Sequence, residues 1–252
     1  MLKIRMMPTL LHRDVGLVKG VGFDSWRRVG TAMQAIKVYN MREVDELVFL
    51  DVTATAEARS PDFRLIDELA DECFMPLTVG GGIRNLDDVR RLLQVGADKV
   101  AVNTAAVETP SLVRQIADRF GSQCVVVSID VRRHADDRLE VFTRSGTTAT
   151  GRDPVALAKD VEALGAGEIL LTSVERDGRM DGYDVDLIRR VTQAVRIPVI
   201  ASGGAGSYAD MAAALREGKA SALAAASIFH FTQQTPLEAK RFLHAEGFHV
   251  RF

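Results

Sequence analysis

The sequence predicts one closed (β/α)8 barrel of the TIM type. Three observations carry that prediction. The length of 252 residues matches one such barrel and is short for two ordinary domains. Eight short aliphatic runs alternate with amphipathic stretches along the whole chain. No linker-like segment interrupts them, so a single domain is expected over 1–252.

In chain order, the strand candidates of the first half are "IRMMPTL" (4–10), "ELVFLDV" (46–52), "PLTVGGG" (76–82) and "KVAVNT" (99–104). Those of the second half are "CVVVSID" (124–130), "EILLTSV" (168–174), "PVIASGG" (198–204) and "ASALAAAS" (220–227). Continuous apolar runs suit a parallel sheet covered on both faces. Between them, "NLDDVRRLLQVG" and "SYADMAAALREG" read as helices, opened by Asn85 or Ser207 as N-cap and ending before a glycine fit for C′. The first strand is expected to end near Leu10 and Leu11, leaving His12 and Asp14 in a loop.

The two halves resemble each other. "MPLTVGGGIRNLDDVRRLLQVGADKV" lines up with "IPVIASGGAGSYADMAAALREGKASA", each reading strand, glycine cluster, capped helix, glycine and next strand. Half-barrels of about 1–122 and 123–252 follow, and chemical groups at the C-terminal strand ends should occur in twofold pairs.

Composition excludes several classes of function. An apolar fraction of 47% supports a large core, and a net charge of −2 gives no reason to expect nucleic acid or an anionic membrane as partner. Cys73 and Cys124 form no CxxC pair and suit a reduced compartment. The start "MLKIRMMP" lacks the apolar run of a signal peptide and no segment reaches transmembrane length, so a cytoplasmic protein is expected.

Two glycine clusters follow duplicated strands, Gly80-Gly81-Gly82 after the third and Ser202-Gly203-Gly204 after the seventh. Glycine lets backbone N–H groups approach an anion, and barrels commonly bind phosphate at these loops. Asn103-Thr104 and Ala226-Ser227 complete each cradle with further donors. One cluster alone is explained by a tight turn. Two in duplicated positions imply a ligand with a phosphate at each end.

Asp51, Asp130 and Thr172 end strands, and Asp177 follows in "TSVERDG". The C-terminal strand ends of a barrel are where catalytic groups sit, although Asp51 is as well explained by capping or an ion pair. No ligand cluster has metal spacing and no motif suggests a covalent nucleophile, so neither metal nor cofactor is expected. Of the five histidines only His12 is placed to face the site. At the other end of the barrel, Arg5, Glu46, Lys99 and Glu168 open strands, two cations and two anions able to pair into a plug.

The runs "VKGV", "DELVFLD", "PLTVGGGIR", "GADKV", "ADRFGSQCVVV", "LGAGEILLTS", "DGYD", "IPVIASGGAG" and "AASIFHF" carry a resemblance. The chain resembles the cyclase-subunit family of imidazole glycerol phosphate synthase along almost its whole length. The resemblance implies a glutaminase partner docked at the N-terminal barrel face, whose ammonia passes through the barrel. There it meets a ribulosyl formimino carboxamide nucleotide with a phosphate at each end, which is cyclised and cleaved. It further implies that Asp130 is one of two catalytic aspartates and that Lys19 lies on a mobile loop closing over substrate. Gly81, Gly82, Asn103 and Thr104 would line one phosphate site; Asp177, Gly178, Ser202, Gly203, Gly204, Ala226 and Ser227 would line the other. Asp51, Ser145 and Thr172 would lie between them, the four charged strand starts would form the ammonia gate, and Asp98 would face the glutaminase.

The family pattern at strand 1 is P-C-L-D, ending in the second catalytic aspartate. Here it reads Pro8-Thr9-Leu10-Leu11. Leucine moves no proton, so the paired-acid mechanism lacks one partner. Paralogues associated with amidation of sugars for surface glycans resemble this chain more, in "P-x-L-L" before "GLVK", in "KVYN" and in "VVSIDV". In those systems a separate synthetase amidates the sugar. Three readings follow: an ammonia-accepting subunit with a specialised amidation role, an ordinary cyclase with a substitute acid, and a non-catalytic ammonia conduit.

Overall fold

The computed structural model describes residues 3–252. The strands, in chain order, are β1 (Arg5–Arg13), β2 (Gly16–Val21), β3 (Asp24–Gly30), β4 (Leu47–Asp51), β5 (Leu77–Gly80) and β6 (Lys99–Val102), followed by β7 (Val125–Arg133), β8 (Leu139–Thr143), β9 (Thr148–Ala149), β10 (Glu168–Ser173), β11 (Val199–Ser202) and β12 (Ala222–Ala225). The α-helices are α1 (Ala32–Met41), α2 (Phe63–Ala70), α3 (Leu86–Gln94), α4 (Thr104–Glu108), α5 (Ser111–Phe120), α6 (Pro154–Ala163), α7 (Val185–Thr192), α8 (Tyr208–Arg216), α9 (Ser227–Phe231) and α10 (Pro236–Ala245).

Eight of the strands close a parallel ring in the order β1, β4, β5, β6, β7, β10, β11, β12 and back to β1. This is the (β/α)8 barrel the sequence predicts. Side chains alternate across its wall. Met7, Val126, Leu170 and Ile200 fill the interior, while Met6, Leu10, Val127 and Ile169 pack outward against the helices. The helix starts follow the expected capping chemistry. The Asn85 side chain accepts from the Asp88 amide, and Ser207 with Asp210 forms a reciprocal capping box.

The wall carries a twofold correspondence in its register. Leu11 pairs with Leu50, and Asp130 with Thr172. Leu50 pairs with Gly80, and Thr172 with Ser202. The same offsets carry Glu46 onto Glu168 and Thr9 onto Ser128, and one residue more carries the five-residue helix α4 onto the five-residue helix α9.

Two antiparallel hairpins lie outside the expected pattern. Strands β2 and β3 extend from β1, and β8 and β9 extend from β7. Pairing with β2 carries β1 on to Arg13, past Leu11, so His12 belongs to the strand and not to a loop. Lys19 is likewise on a strand, β2, and is 2% exposed. The expected loop after strand 1 is therefore corrected to a folded hairpin lying over the barrel mouth. No helix among the described residues is long and apolar enough to cross a membrane.

Candidate active site

The C-terminal ends of the barrel strands open into a cavity of about 430 Å³, within the usual range for a small-molecule site. All sixteen residues expected around the mouth line it, from Lys19, Asp51 and Asp130 to Ala226 and Ser227. Leu11 lines it too, as do Thr9 and Leu50. On one side the wall offers Ser128, Asp130 and Thr172; the equivalent positions opposite offer Thr9, Leu11 and Leu50.

Asp130 is buried, and burial above all pushes its carboxyl up to about 7. The Ser128 and Thr172 hydroxyls partly offset this, and the negative charge of Asp177 adds to it. The Ser128 hydroxyl donates to Asp130 Oδ1 at 3.3 Å. Its counterpart Thr9 has no such partner, because residue 11 is leucine: Thr9 Oγ1 is buried without a hydrogen bond.

Asp51 is differently placed. Its two oxygens accept from Arg59 Nη1 at 2.7 Å and Nη2 at 3.0 Å, and from the Thr53 and Ala54 amides. Burial would raise its carboxyl, but the Arg59 guanidinium and the two amides outweigh it and hold the group below the ordinary range. A carboxylate so fully engaged organises its loop, which favours the ion-pair reading of Asp51. Arg59, eight residues on in an irregular segment, carries no sequence signal for that role. Ser145 donates to the Val52 carbonyl at 2.7 Å, tying the second hairpin to the loop after β4.

Lys19 Nζ meets Asp177 Oδ2 at 2.5 Å, and the Gly22 amide donates to the Asp177 carbonyl at 2.8 Å. The first hairpin is thus pinned to the loop after β10.

Packing accounts for part of each glycine cluster. A Cβ on Gly81 would lie 2.2 Å from the Asp51 carbonyl oxygen, and one on the equivalent Gly203 would lie 2.5 Å from that of Ser173. The phosphate reading therefore rests on the donors around them. The Gly204 and Ser227 amides find no backbone acceptor among the described residues, and Ser227 Oγ is buried and unpartnered.

The family model described as "Histidine biosynthesis protein" matches residues 10–235. The chain belongs to the histidine biosynthesis protein family. That membership agrees with the barrel and with the cyclase-subunit resemblance carried by the sequence.

At the N-terminal face of this family member, the four charged strand starts form a closed ring. Arg5 reaches Glu46 at 2.7 Å and Glu168 at 2.9 Å; Lys99 reaches the same two at 3.0 and 3.2 Å. Asp98 is exposed on the same face, and its Oδ2 accepts from the Leu77 amide at 2.8 Å. His12 does not face the site. It is buried against Phe49, 5.4 Å between ring centroids, on the helix-facing side of β1. His230 is half-buried on α9, while His244 and His249 are exposed.

Proposed function

We propose that this chain is the ammonia-accepting barrel subunit of a glutamine amidotransferase complex, and that it amidates a specialised acceptor instead of performing the family's cyclisation. The position of Leu11 carries the reading. A ligand held by a phosphate at each end has its middle over the barrel axis, flanked by Asp130 on one side and by Leu11 and Leu50 on the other. A carboxyl near 7 can take a proton from an attacking ammonia nitrogen and return it to a departing oxygen. One such group serves that addition and elimination; a mechanism built on two acids lacks its second.

The far end supports ammonia as the co-substrate. The ion-paired ring closes an apolar interior in which Thr78 Oγ1 and Thr9 Oγ1 are buried and unpartnered, two hydroxyls able to hold a small polar molecule between ring and mouth. The ring face is where we place the glutaminase, in the cytoplasm, with a sugar or similar metabolite as acceptor. A separate amidating synthetase is the further partner in this reading. An ordinary cyclase with a substitute acid has less support: His12 points away from the cavity and Asp14 lies exposed beyond β1.

The test is a sizing experiment with the cognate glutaminase together with complementation of a cyclase-deficient histidine auxotroph. A complex without complementation is expected. Growth at the normal rate would show an ordinary cyclase, and absence of a complex would remove the ammonia role. Unchanged product formation by Asp130→Asn in the reconstituted complex would make the barrel a conduit.

A further inference from the structure

The helices α4 and α9 occupy equivalent places and end at Glu108 and Phe231. Each end is gripped by an arginine from the adjoining hairpin. Arg144 Nη2 meets Glu108 Oε1 at 2.8 Å, and Arg27 Cζ lies 3.7 Å from the centroid of the Phe231 ring. The two contacts differ in one respect. Arg144 and Glu108 both line the cavity, whereas Arg27 does not.

We infer that Arg144 is a ligand-binding residue which leaves Glu108 to grip the phosphate in the first cradle; this rests on the two-phosphate reading above. Arg144 is anchored at that cradle already, since its amide donates to Thr104 Oγ1 at 3.1 Å. The neighbouring Asn103 side chain donates to the Phe142 carbonyl two residues before it, so cradle and hairpin move as one piece. The Arg144–Glu108 pair is 42% and 49% exposed at its two side chains, and such pairs hold weakly. A phosphate dianion offers the guanidinium two parallel charge-assisted bonds and is the stronger partner. No arginine lines the cavity at the second cradle: Arg27 lies on an aromatic ring, Arg176 donates to the Asp181 and Gly182 carbonyls, and Lys19 is committed to Asp177. The two ends of the ligand are thereby distinguished: the first is held by a transferable arginine, the second by backbone donors and Ser227.

The experiment is a titration with inorganic phosphate, read by amide NMR at Gly82 and Thr104 for the first cradle and at Gly204 and Ser227 for the second. The main variant is Arg144→Asn, because Arg144 has φ +53 and asparagine tolerates the left-handed region. It is expected to weaken phosphate at the first cradle by about tenfold or more and leave the second unchanged. Arg144→Lys keeps the charge without the fork and should fall between. Glu108→Gln frees the arginine and should tighten the first cradle. Equal affinity of wild type and Arg144→Asn at the first cradle overturns the inference and leaves the two-phosphate reading standing. Absence of phosphate binding to wild type at either cradle overturns both.

Discussion

Leu11 and Asp130 stand at equivalent positions of the two barrel halves, Leu11 beside Leu50 and Asp130 beside Thr172. The equivalence extends one step down each strand, to Thr9 and Ser128. Ser128 donates to Asp130, and Thr9 has nothing to donate to. The mouth is therefore complete on one side and lacks both the acid and its hydrogen bond on the other.

Leu11→Asp supplies both at once. The new carboxylate would lie beside the unpartnered Thr9 hydroxyl, repeating the Ser128–Asp130 pair. With ammonia and the ribulosyl formimino carboxamide nucleotide, the variant is expected to form imidazole glycerol phosphate faster than wild type, by about 10²–10⁴ if acid–base assistance is what is missing. Leu11 is 8% exposed, so the charge costs stability, on the order of 1–3 kcal/mol. A variant that folds and gains no turnover would show that Leu11 is not what limits cyclisation.

As the proposed acid–base group, Asp130 ties activity to pH and stability together. Its carboxyl lies at about 7 in the folded chain against 3.8 for a free side chain. Between those values the folded protein holds a proton that the unfolded chain has released. Stability from this group is thus fully present below about pH 4 and is lost as pH rises through 7, by a few kcal/mol in order of magnitude. Asp130→Asn should abolish product formation and also flatten that window, melting higher than wild type at about pH 8 and little differently near pH 4. Parallel pH–melting curves for the two proteins would refute this.

In the proposed function, the ring at the other end separates the source of ammonia from its use, and this can be tested. Glu46→Gln keeps the shape and removes the charge shared by Arg5 and Lys99. Turnover fed by glutamine through the partner should fall, while turnover fed by added ammonium salt at the mouth should hold. A loss of about 1–3 kcal/mol in stability is expected alongside, since the ring is largely buried. Equal losses in both assays would mean that the ring acts on the mouth and not on passage.

What the sequence disclosed and what it hid have separate physical causes. Val125–Val127 and Ile169–Leu171 are buried on both faces, and only an unbroken aliphatic run satisfies that, so the barrel strands were legible. The hairpins were not. Residues 16–30 mix glycine, arginine and aromatic side chains on a ribbon with one exposed strand, which leaves no clean alternation. Hence β1 was expected to stop before His12, and Lys19 read as a loop lysine although its partner Asp177 lies 158 residues away. The unpaired Thr9 was legible in principle, by laying "TLL" over "SID", and the missing acid alone drew attention.

The Lys19–Asp177 contact tethers the first hairpin to the loop after β10, and Lys19→Met tests the tether. The lysine side chain is 2% exposed and its partner 12%, so removing the cation leaves a poorly solvated carboxylate; for buried pairs that costs about 3–5 kcal/mol. Most of the cost should appear as opening of the hairpin, because β3 pairs only with β2 and can detach without disturbing the barrel ring. Amide exchange over residues 16–30 is expected to accelerate well beyond that of β7 and β10, with the global melting temperature shifted by only a few degrees. Uniform acceleration across all strands would instead show that the pair supports the barrel as a whole.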